Sequence, residues 1–267
     1  MILALDIGAT NTRIGLVKGK TAFKIKKIKT SKKKEEINRN ILELINSYKN
    51  YDCICVGIAG IVKSGKIVYT PNMNFSGVDL KKLLGKKYAV PIYVDNDAKC
   101  AALAELKYGM GKKNNNFFHI TLGTGIGGAQ IINRQIKSKE VGHFLINGKE
   151  FEDIASGTAA HKIARRYHLN NYTNEKIFEL ANKGNKLSLE LYKKVGNNLA
   201  DGLIEINKRF NSKKFVFSGG FSKVNYVIKA ASAALRARYK NKKIILTRTK
   251  LGDKIGLIGA SLLPKLK

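Results

Sequence analysis

The stretch at residues 2–17, "ILALDIGATNTRIGLV", contains the pattern that decides the fold. Runs of apolar residues flank a short Gly-Ala-Thr-Asn segment, which predicts two strands joined by a tight turn. The same arrangement of strand, Gly/Thr turn and strand returns at residues 117–132, "FFHITLGTGIGGAQII". Two segments that each begin with a strand, a Gly/Thr turn and a strand predict two lobes of similar construction.

Strand and helix patterns alternate after the first hairpin. A third strand, "TAFKIKKIK", precedes a helix at about 33–49, a buried strand "CICVGIAG", a short helix and the strand "PIYV". The second hairpin is expected to return as "AQIINRQI". A long helix is expected at about 187–210, where apolar residues recur every three or four positions. The strand "KFVFSGG", a helix, a strand and a final helix follow, so the chain is predicted to be α/β with mixed sheets covered by helices.

The net charge of the chain is strongly positive. Fifty Lys and Arg residues against 19 Asp and Glu residues give +31, a charge that would suit a polyanion such as nucleic acid. The lysines, however, are spread over nearly every expected helix and loop. The one dense run, at 24–34, lacks the interleaved aromatic residues of a stacking surface. We therefore favour a compositional bias and do not expect a nucleic-acid partner.

Cysteine usage and hydropathy indicate a cytoplasmic chain. Cys53, Cys55 and Cys100 occur without CxxC spacing, which is typical of reduced and buried thiols. No apolar run approaches the roughly 20 residues of a membrane helix. The first residues open directly into a strand pattern without the basic segment of a signal peptide. We expect no membrane association.

Three Gly-rich turns that follow strands are candidates for phosphate binding. Glycine lets backbone N–H groups approach a ligand closely, and threonine hydroxyls suit phosphate oxygens. An aspartate at such a turn would hold magnesium through water. Ordinary hairpins use the same residue types, and none of the turns has P-loop spacing. The candidate residues are Asp6, Gly8, Thr10 and Asn11 in the first turn, Gly123, Thr124 and Gly125 in the second, and Gly219 and Gly220 in the third.

Three polar residues, Asp95, Asn96 and Asp97, stand where the strand "PIYV" meets the helix pattern "AKCAALAEL". Asp and Asn side chains accept hydrogen bonds from the free N–H groups of a first helical turn. The position therefore predicts a helix N-cap, with the carboxylate fixed by the capping geometry.

The order of the polar motifs along nearly the whole chain identifies a family resemblance. In sequence they are "LALDIGATNTRIGLV", "VGIAGIV" with "PNMNF" and "VDNDAKCAALAE", "TLGTGIGGA", "EVGHF", "FEDIASGTAA" and "VFSGG". This order resembles the ROK family of sugar kinases, within the actin/hexokinase-like ATPase superfamily. The resemblance implies a two-lobed, ribonuclease H-like fold with a mixed five-stranded-type sheet in each lobe. The implied lobes are residues 1–112 with a C-terminal helix at 254–267, and residues 113–253.

The same resemblance implies a role for each motif. Asp97 would be the general base that accepts the proton of the attacking sugar hydroxyl, and it would also be the helix cap. The sugar-binding residues would be Gly60, Asn72, Asn96, Glu140, His143 and Glu152. ATP and Mg²⁺ would bind at the three Gly-rich turns. The expected activity is transfer of the γ-phosphoryl of Mg-ATP to a hexose, with the 6-hydroxyl of glucose first. N-acetylmannosamine, N-acetylglucosamine and fructose are the alternative acceptors.

Two features separate this chain from parts of the family. Many relatives carry three cysteines between the positions of His143 and Glu152, which hold a structural zinc ion with that histidine. Here the interval is the cysteine-free "FLINGKE", so we expect no structural zinc. Some relatives are transcription factors with an N-terminal helix-turn-helix, which we do not expect here because the first motif begins at residue 2. A non-catalytic sugar- or nucleic-acid-binding protein is the less favoured alternative, and a homodimer is an expectation from the family alone.

Overall fold

Two β-sheets of five strands form the framework of the chain. The computed structural model describes residues 1–70, 73–239 and 244–266. Contacts divide the chain into two compact units. Unit 1 consists of Met1–Lys113, Ile136–Ser138 and Lys250–Lys267, and unit 2 of Asn114–Gln135 and Lys139–Thr249.

The sheet of unit 1 has the strand order β3-β2-β1-β4-β7. Its strands are β1 (Ile2–Ile7), β2 (Asn11–Lys18), β3 (Thr21–Lys29), β4 (Cys53–Ile58) and β7 (Ile92–Asn96). The first three strands are antiparallel, and β4 and β7 continue the sheet in parallel with β1. Strand β3 lies at an edge and exposes most of its lysines, which blunts edge-to-edge pairing.

Helices cover both faces of this sheet because side chains alternate along its strands. Leu3 and Leu5 of β1 pack with α1 (Lys34–Asn46) and α2 (Leu80–Gly85). Ala4 faces the other side, where α3 (Asp97–Tyr108) and α9 (Ile255–Ala260) pack. Helices α3 and α9 approach closely, since a Cβ on Gly259 would lie 1.8 Å from the carbonyl oxygen of Cys100.

The second sheet has the order β10-β9-β8-β13-β14. Its strands are β8 (Phe117–Leu122), β9 (Ile126–Ile132), β10 (Gln135–Lys139), β13 (Lys214–Ser218) and β14 (Ile245–Arg248). The accompanying helices are α4 (Phe151–Ala155), α5 (Gly157–Ala164), α6 (Asn174–Asn182), α7 (Lys186–Phe210) and α8 (Asn225–Arg238). Phe118 and Ile120 of β8 join one large core with the buried face of α7.

The predicted α/β architecture is confirmed, and the long helix expected at about 187–210 is α7. The returning strand of the second hairpin is displaced from "AQIINRQI". It begins at Ile126 and ends at Ile132, because Asn133 and Arg134 both adopt positive φ and turn the chain into β10. The C-terminal helix expected at 254–267 is shorter. Helix α9 ends at Ala260, and a 3₁₀ turn at Leu263–Leu266 follows around Pro264, which has no N–H to donate.

Two small hairpins lie outside the main sheets. The first joins β5 (Ile61–Lys63) to β6 (Lys66–Tyr69), and the second joins β11 (Leu145–Ile146) to β12 (Lys149–Glu150). Neither was expected from the sequence pattern, because strands of two to four residues show too little alternation to be recognised. In the part of the chain that the structure describes, no helix has the length and apolarity required to cross a bilayer.

Replacing Gly259 with alanine is expected to destabilise unit 1. The added methyl group would collide with the Cys100 carbonyl and push α9 away from α3. Overpacking of this kind costs about 1–3 kcal/mol, which a urea titration would show as a lower free energy of unfolding. Gly85→Ala is the matched control, because no atom lies within 4 Å of its Cβ position. Equal stabilities of the two variants would contradict the close helix contact.

Candidate active site

The turn between β1 and β2 is held by its own backbone and by Thr30. Gly8 N donates to Asn11 O at 3.0 Å, and Thr30 Oγ1 donates to Gly8 O at 2.7 Å. Thr30 N donates to Thr10 O at 3.0 Å. The four candidate phosphate-binding residues of the first motif therefore lie in or next to one fixed turn of unit 1.

Asp6 ends up largely buried beneath this turn. Its carboxylate accepts a hydrogen bond from Arg13 Nη1 at 3.5 Å, across the antiparallel β1–β2 pair. Gly256 of α9 packs against it so closely that a Cβ there would lie 2.4 Å from the carboxyl carbon. Burial raises the pKa of Asp6, and the Arg13 charge offsets this only in part. A cation beside the carboxylate would relieve that cost, so Asp6 fits the magnesium-holding role predicted for it.

The junction of β7 and α3 corrects the predicted cap. Asn96, in an extended conformation, is the N-cap of α3, and its Oδ1 accepts from Lys99 N at 2.9 Å. Asp97 is instead the first helical residue, and its Oδ1 accepts from the adjacent Ala98 N at 2.8 Å. The cap must have extended backbone angles, which the last residue of a strand already has. Asp97 thus lies in the first turn without being the cap.

Asn96 also ties this junction to the neighbouring β4–β5 turn. Its side-chain Nδ2 donates to Gly60 O at 2.8 Å. Gly60 has φ +123°, and a Cβ there would lie 2.1 Å from Tyr69 O, so only glycine fits. Asp95 forms an ion pair with Lys99 and accepts from Asn96 N at 2.8 Å. The structure therefore brings together Gly60, Asn96 and Asp97. Asn72 lies outside the described residues.

In unit 2, the two Gly-rich turns meet at the start of α5. Gly157 N donates to Gly123 O at 2.8 Å, and Thr158 N donates to Thr124 O at 3.2 Å. At the end of β13, Gly219 has φ +90°, and a Cβ on it would lie 2.5 Å from Leu122 O. The second and third motifs, separated by about a hundred residues in the chain, therefore lie side by side at the ends of the paired strands β8 and β13.

The predicted sugar-binding residues of unit 2 lie on two neighbouring segments. Glu140 directly precedes a 3₁₀ turn at Val141–His143, of which His143 is the last residue, and Glu152 belongs to α4. Glu152 Oε2 accepts from Ile126 N at 3.2 Å, which connects α4 to the start of β9. Gly142 lets these groups approach, since a Cβ there would lie 2.4 Å from Ile126 O.

The charges in this cluster influence one another. Partial desolvation raises the pKa of Glu140, and the neighbouring Glu152 carboxylate raises it further, whereas the charge of His143 lowers it. The pKa of His143 is raised, first by its hydrogen bond to Glu150 and also by the negative charges around it. Two carboxylates and an imidazole that lie close together are suited to binding groups that both donate and accept hydrogen bonds.

Among the described residues, one group of side chains has the chemistry to hold a metal ion. Ligand atoms of His143, Glu150 and Glu152 lie within 4.8 Å of one another. The group contains no cysteine, and His143 Nδ1 is already hydrogen-bonded to Glu150 Oε2 at 3.0 Å. The expectation of no structural zinc stays a prediction.

Two contributors to the site were not found from the sequence. Gly157 belongs to the motif "FEDIASGTAA" but was not among the candidate residues, yet its N–H supports the second Gly-rich turn. Glu150 lies seven residues after His143, a spacing that carries no signal in an irregular segment. The available signal was the Asn147-Gly148 pair between them, which is typical of a two-residue hairpin turn that brings its flanks together.

Comparison with known proteins places the chain in a family. The family model described as the ROK family matches residues 2–267. The chain belongs to the ROK family. An uncharacterised protein of Clostridium perfringens is 31% identical over 97% of this chain and 96% of its own length. The ROK resemblance of the motifs is thereby confirmed.

Further relatives of this ROK protein include enzymes and regulators. The glucokinase of Streptomyces coelicolor is 25% identical over 98% of this chain and 96% of its own length. The xylose repressor of Bacillus subtilis is 37% identical over 36% of this chain, which is 28% of the repressor. A ROK family glucokinase of Streptomyces griseus, solved with glucose and AMPPNP, has a TM-score of 0.88 at 23% identity, covering 99% of each chain. The last comparison confirms the predicted fold class.

Replacing Asp6 with asparagine is expected to stabilise the ligand-free protein at neutral pH, by up to about 1 kcal/mol. Because the pKa of Asp6 is higher in the folded than in the unfolded state, its ionised form disfavours folding above the folded-state pKa. The gain should shrink as the pH falls and vanish below the ordinary aspartate pKa of about 3.9, where both states are protonated. Urea unfolding of both proteins over this pH range checks the prediction. A less stable variant at pH 7 would contradict it.

Proposed function

We propose that this ROK protein is an ATP-dependent sugar kinase that transfers the γ-phosphoryl group of ATP to a hexose hydroxyl, with the 6-hydroxyl of glucose as the first candidate. The observation that carries the proposal is the position of Asp97, the first residue of α3, directly after a strand end held by the Asn96 hydrogen bonds. The whole-length similarity to two glucokinases supports the same activity.

Asp97 is proposed as the general base. Its negative charge lies in the first turn of a 12-residue helix, where the helix dipole stabilises anions. A carboxylate held there can accept the proton of a sugar hydroxyl as that oxygen attacks phosphorus. Phosphoryl transfer involves little covalent chemistry by the protein, so positioning and charge stabilisation would supply most of the acceleration.

The remaining assignments concern binding. Glu140, His143 and Glu152 would hold the sugar ring, because sugar hydroxyls both donate and accept hydrogen bonds. The side-chain amide of Asn96 donates one hydrogen bond to Gly60 O. We assign the second hydrogen of this amide to a sugar hydroxyl. Gly60 would shape the pocket floor beside it.

The phosphate groups of ATP would bind at the Gly-rich turns. Glycine backbones at Gly8, Gly123 and Gly219 would approach the phosphates, and the hydroxyls of Thr10 and Thr124 would contact their oxygens. Asp6, a largely buried carboxylate with a raised pKa, would hold Mg²⁺ through water. When bound, Mg²⁺ neutralises charge that develops on the transferred group.

Two other functions are the alternatives. An amino sugar such as N-acetylmannosamine would use the same Asp97 chemistry, and acceptor choice depends on pocket details beyond this catalytic core. The second alternative function is that of a non-catalytic regulator. It is favoured by the partial similarity to the xylose repressor and by the net charge of +31. A regulator would bind duplex DNA with strong salt dependence, which a gel shift at two salt concentrations would show.

The decisive experiment measures ADP release from Mg-ATP with glucose, mannose, fructose, N-acetylglucosamine, N-acetylmannosamine or no sugar. Asp97→Asn is expected to lower kcat by about 10²- to 10⁴-fold, which is the usual contribution of a general base. KM for the sugar should change little. The conservative change retains the shape of the side chain and removes its ability to accept a proton.

Asp95→Asn is the matched control, because Asp95 lies two residues before the proposed base, in strand β7. Its carboxylate pairs with Lys99, and its loss should leave turnover within about threefold of the parent value. Near-normal turnover of Asp97→Asn would reject Asp97 as the base. Absence of turnover with every sugar, in a folded protein that binds ATP, would reject the kinase.

A further inference from the structure

A short hairpin presents Glu150 to His143. Strands β11 and β12 pair Leu145 with Glu150 and Ile146 with Lys149. The connecting residues Asn147 and Gly148 have φ +50° and +76°, the backbone of a type I′ turn. This geometry folds the segment back so that the Glu150 carboxylate reaches the imidazole seven residues earlier, with Oε2 at 3.0 Å from His143 Nδ1.

The base of the hairpin is anchored to the core of unit 2. Phe151 N donates to Phe144 O at 2.8 Å, and Phe144 N donates to Val141 O at 3.1 Å. The Phe144 ring stacks on Phe210 at 6.1 Å between centroids, and the Arg209 guanidinium lies 4.4 Å from its centre. The position of Glu150 relative to His143 is therefore set by packed groups, although both side chains are partly exposed.

The chemistry of the pair assigns the imidazole proton. An ionised carboxylate can only accept a hydrogen bond, so Nδ1 of His143 must carry the hydrogen. In the neutral ring Nε2 then has no hydrogen and is an acceptor. Glu152 does not take this role, because the Nδ1 hydrogen is directed to Glu150 Oε2, whereas Glu152 Oε2 accepts from Ile126 N.

We infer that Glu150 is a positioning residue that fixes the Nδ1–H tautomer of the neutral His143 ring, and that Nε2 of this neutral ring is thereby an acceptor for a sugar hydroxyl. The inference rests on the proposed sugar-kinase function for its substrate and deepens it. As an acceptor, His143 Nε2 would favour a sugar with a hydroxyl that can donate a hydrogen bond to it. A sugar that lacks the contacted hydroxyl would therefore bind more weakly.

The test combines a tautomer measurement with kinetics. The ¹⁵N chemical shifts of His143, assigned with the help of His143→Asn, are recorded at a pH of about 9, well above the ordinary histidine pKa of about 6.5. The parent protein should show the Nδ1–H form, and Glu150→Ala should show the Nε2–H form that free imidazole side chains usually prefer. Glu150→Gln, whose amide can either accept or donate, should show a mixture.

Kinetics measured at the same pH, where the His143 ring is neutral, should follow the same order. For Glu150→Ala, KM for the active sugar should rise about tenfold with kcat within about twofold, because a contact made equally in ground and transition states is lost. Glu150→Gln should fall between this variant and the parent. Asp153→Asn is the charge control, since that carboxylate lies in the same segment but pairs with Lys162. It should retain the parent KM.

Each contrary outcome is distinguishable. An unchanged tautomer in Glu150→Ala, or an equal rise of KM in Asp153→Asn, would overturn the inference while the kinase activity stands. A stoichiometric divalent metal in the parent protein, lost in Glu150→Ala, would overturn it in favour of a cation held by His143, Glu150 and Glu152. Absence of turnover with every sugar would overturn the proposed function and the sugar contact, and the tautomer shift would still report the pair itself.

Discussion

The hydrogen bonds of the Asn96 side chain are the interaction on which the candidate active site depends. One amide serves two neighbouring segments, since its oxygen caps α3 and its nitrogen binds the carbonyl of Gly60. Capping residues contribute about 1 kcal/mol, which is a modest energy. Their larger effect here is geometric, because the orientation of the first turn of α3 fixes where the Asp97 carboxylate lies.

Glycine makes the rest of the arrangement possible at points of close approach. Gly256 admits the Asp6 carboxylate against α9, and Gly142 admits Ile126 and Glu152 against the 3₁₀ turn. In each case the backbone of one element touches a functional group of another. Any side chain would push that group away, so these positions help to set the geometry of the candidate site. Burial of Asp6 in such a place raises its pKa, so the ionised carboxylate lowers the stability of the ligand-free protein.

The sequence could predict the parts of the fold that have long periodic patterns. The core strands and α7 are recognisable because many residues share one period. The cap was assigned to Asp97 instead of Asn96, since Asp and Asn are nearly equal as caps and a one-residue boundary shift is invisible to pattern analysis. The pairing of Glu150 with His143 was missed, because the two-residue strands beside the Asn147-Gly148 turn show too little alternation to be recognised as a hairpin. Motif order identified the family, whereas only coordinates show which polar atoms meet.

Unit 1 combines segments that are far apart in the sequence, which affects how the chain can fold during synthesis. Helix α9 completes the apolar layer formed by Cys100, Ala101 and Ala104 of α3, yet it is translated about 150 residues later. At ordinary ribosomal speeds of 5–20 residues per second, this delay is on the order of ten seconds. During that interval one face of the first-made sheet and α3 lacks its final cover. The nascent chain therefore exposes an apolar surface to chaperones and to other nascent chains until its last helix leaves the ribosome.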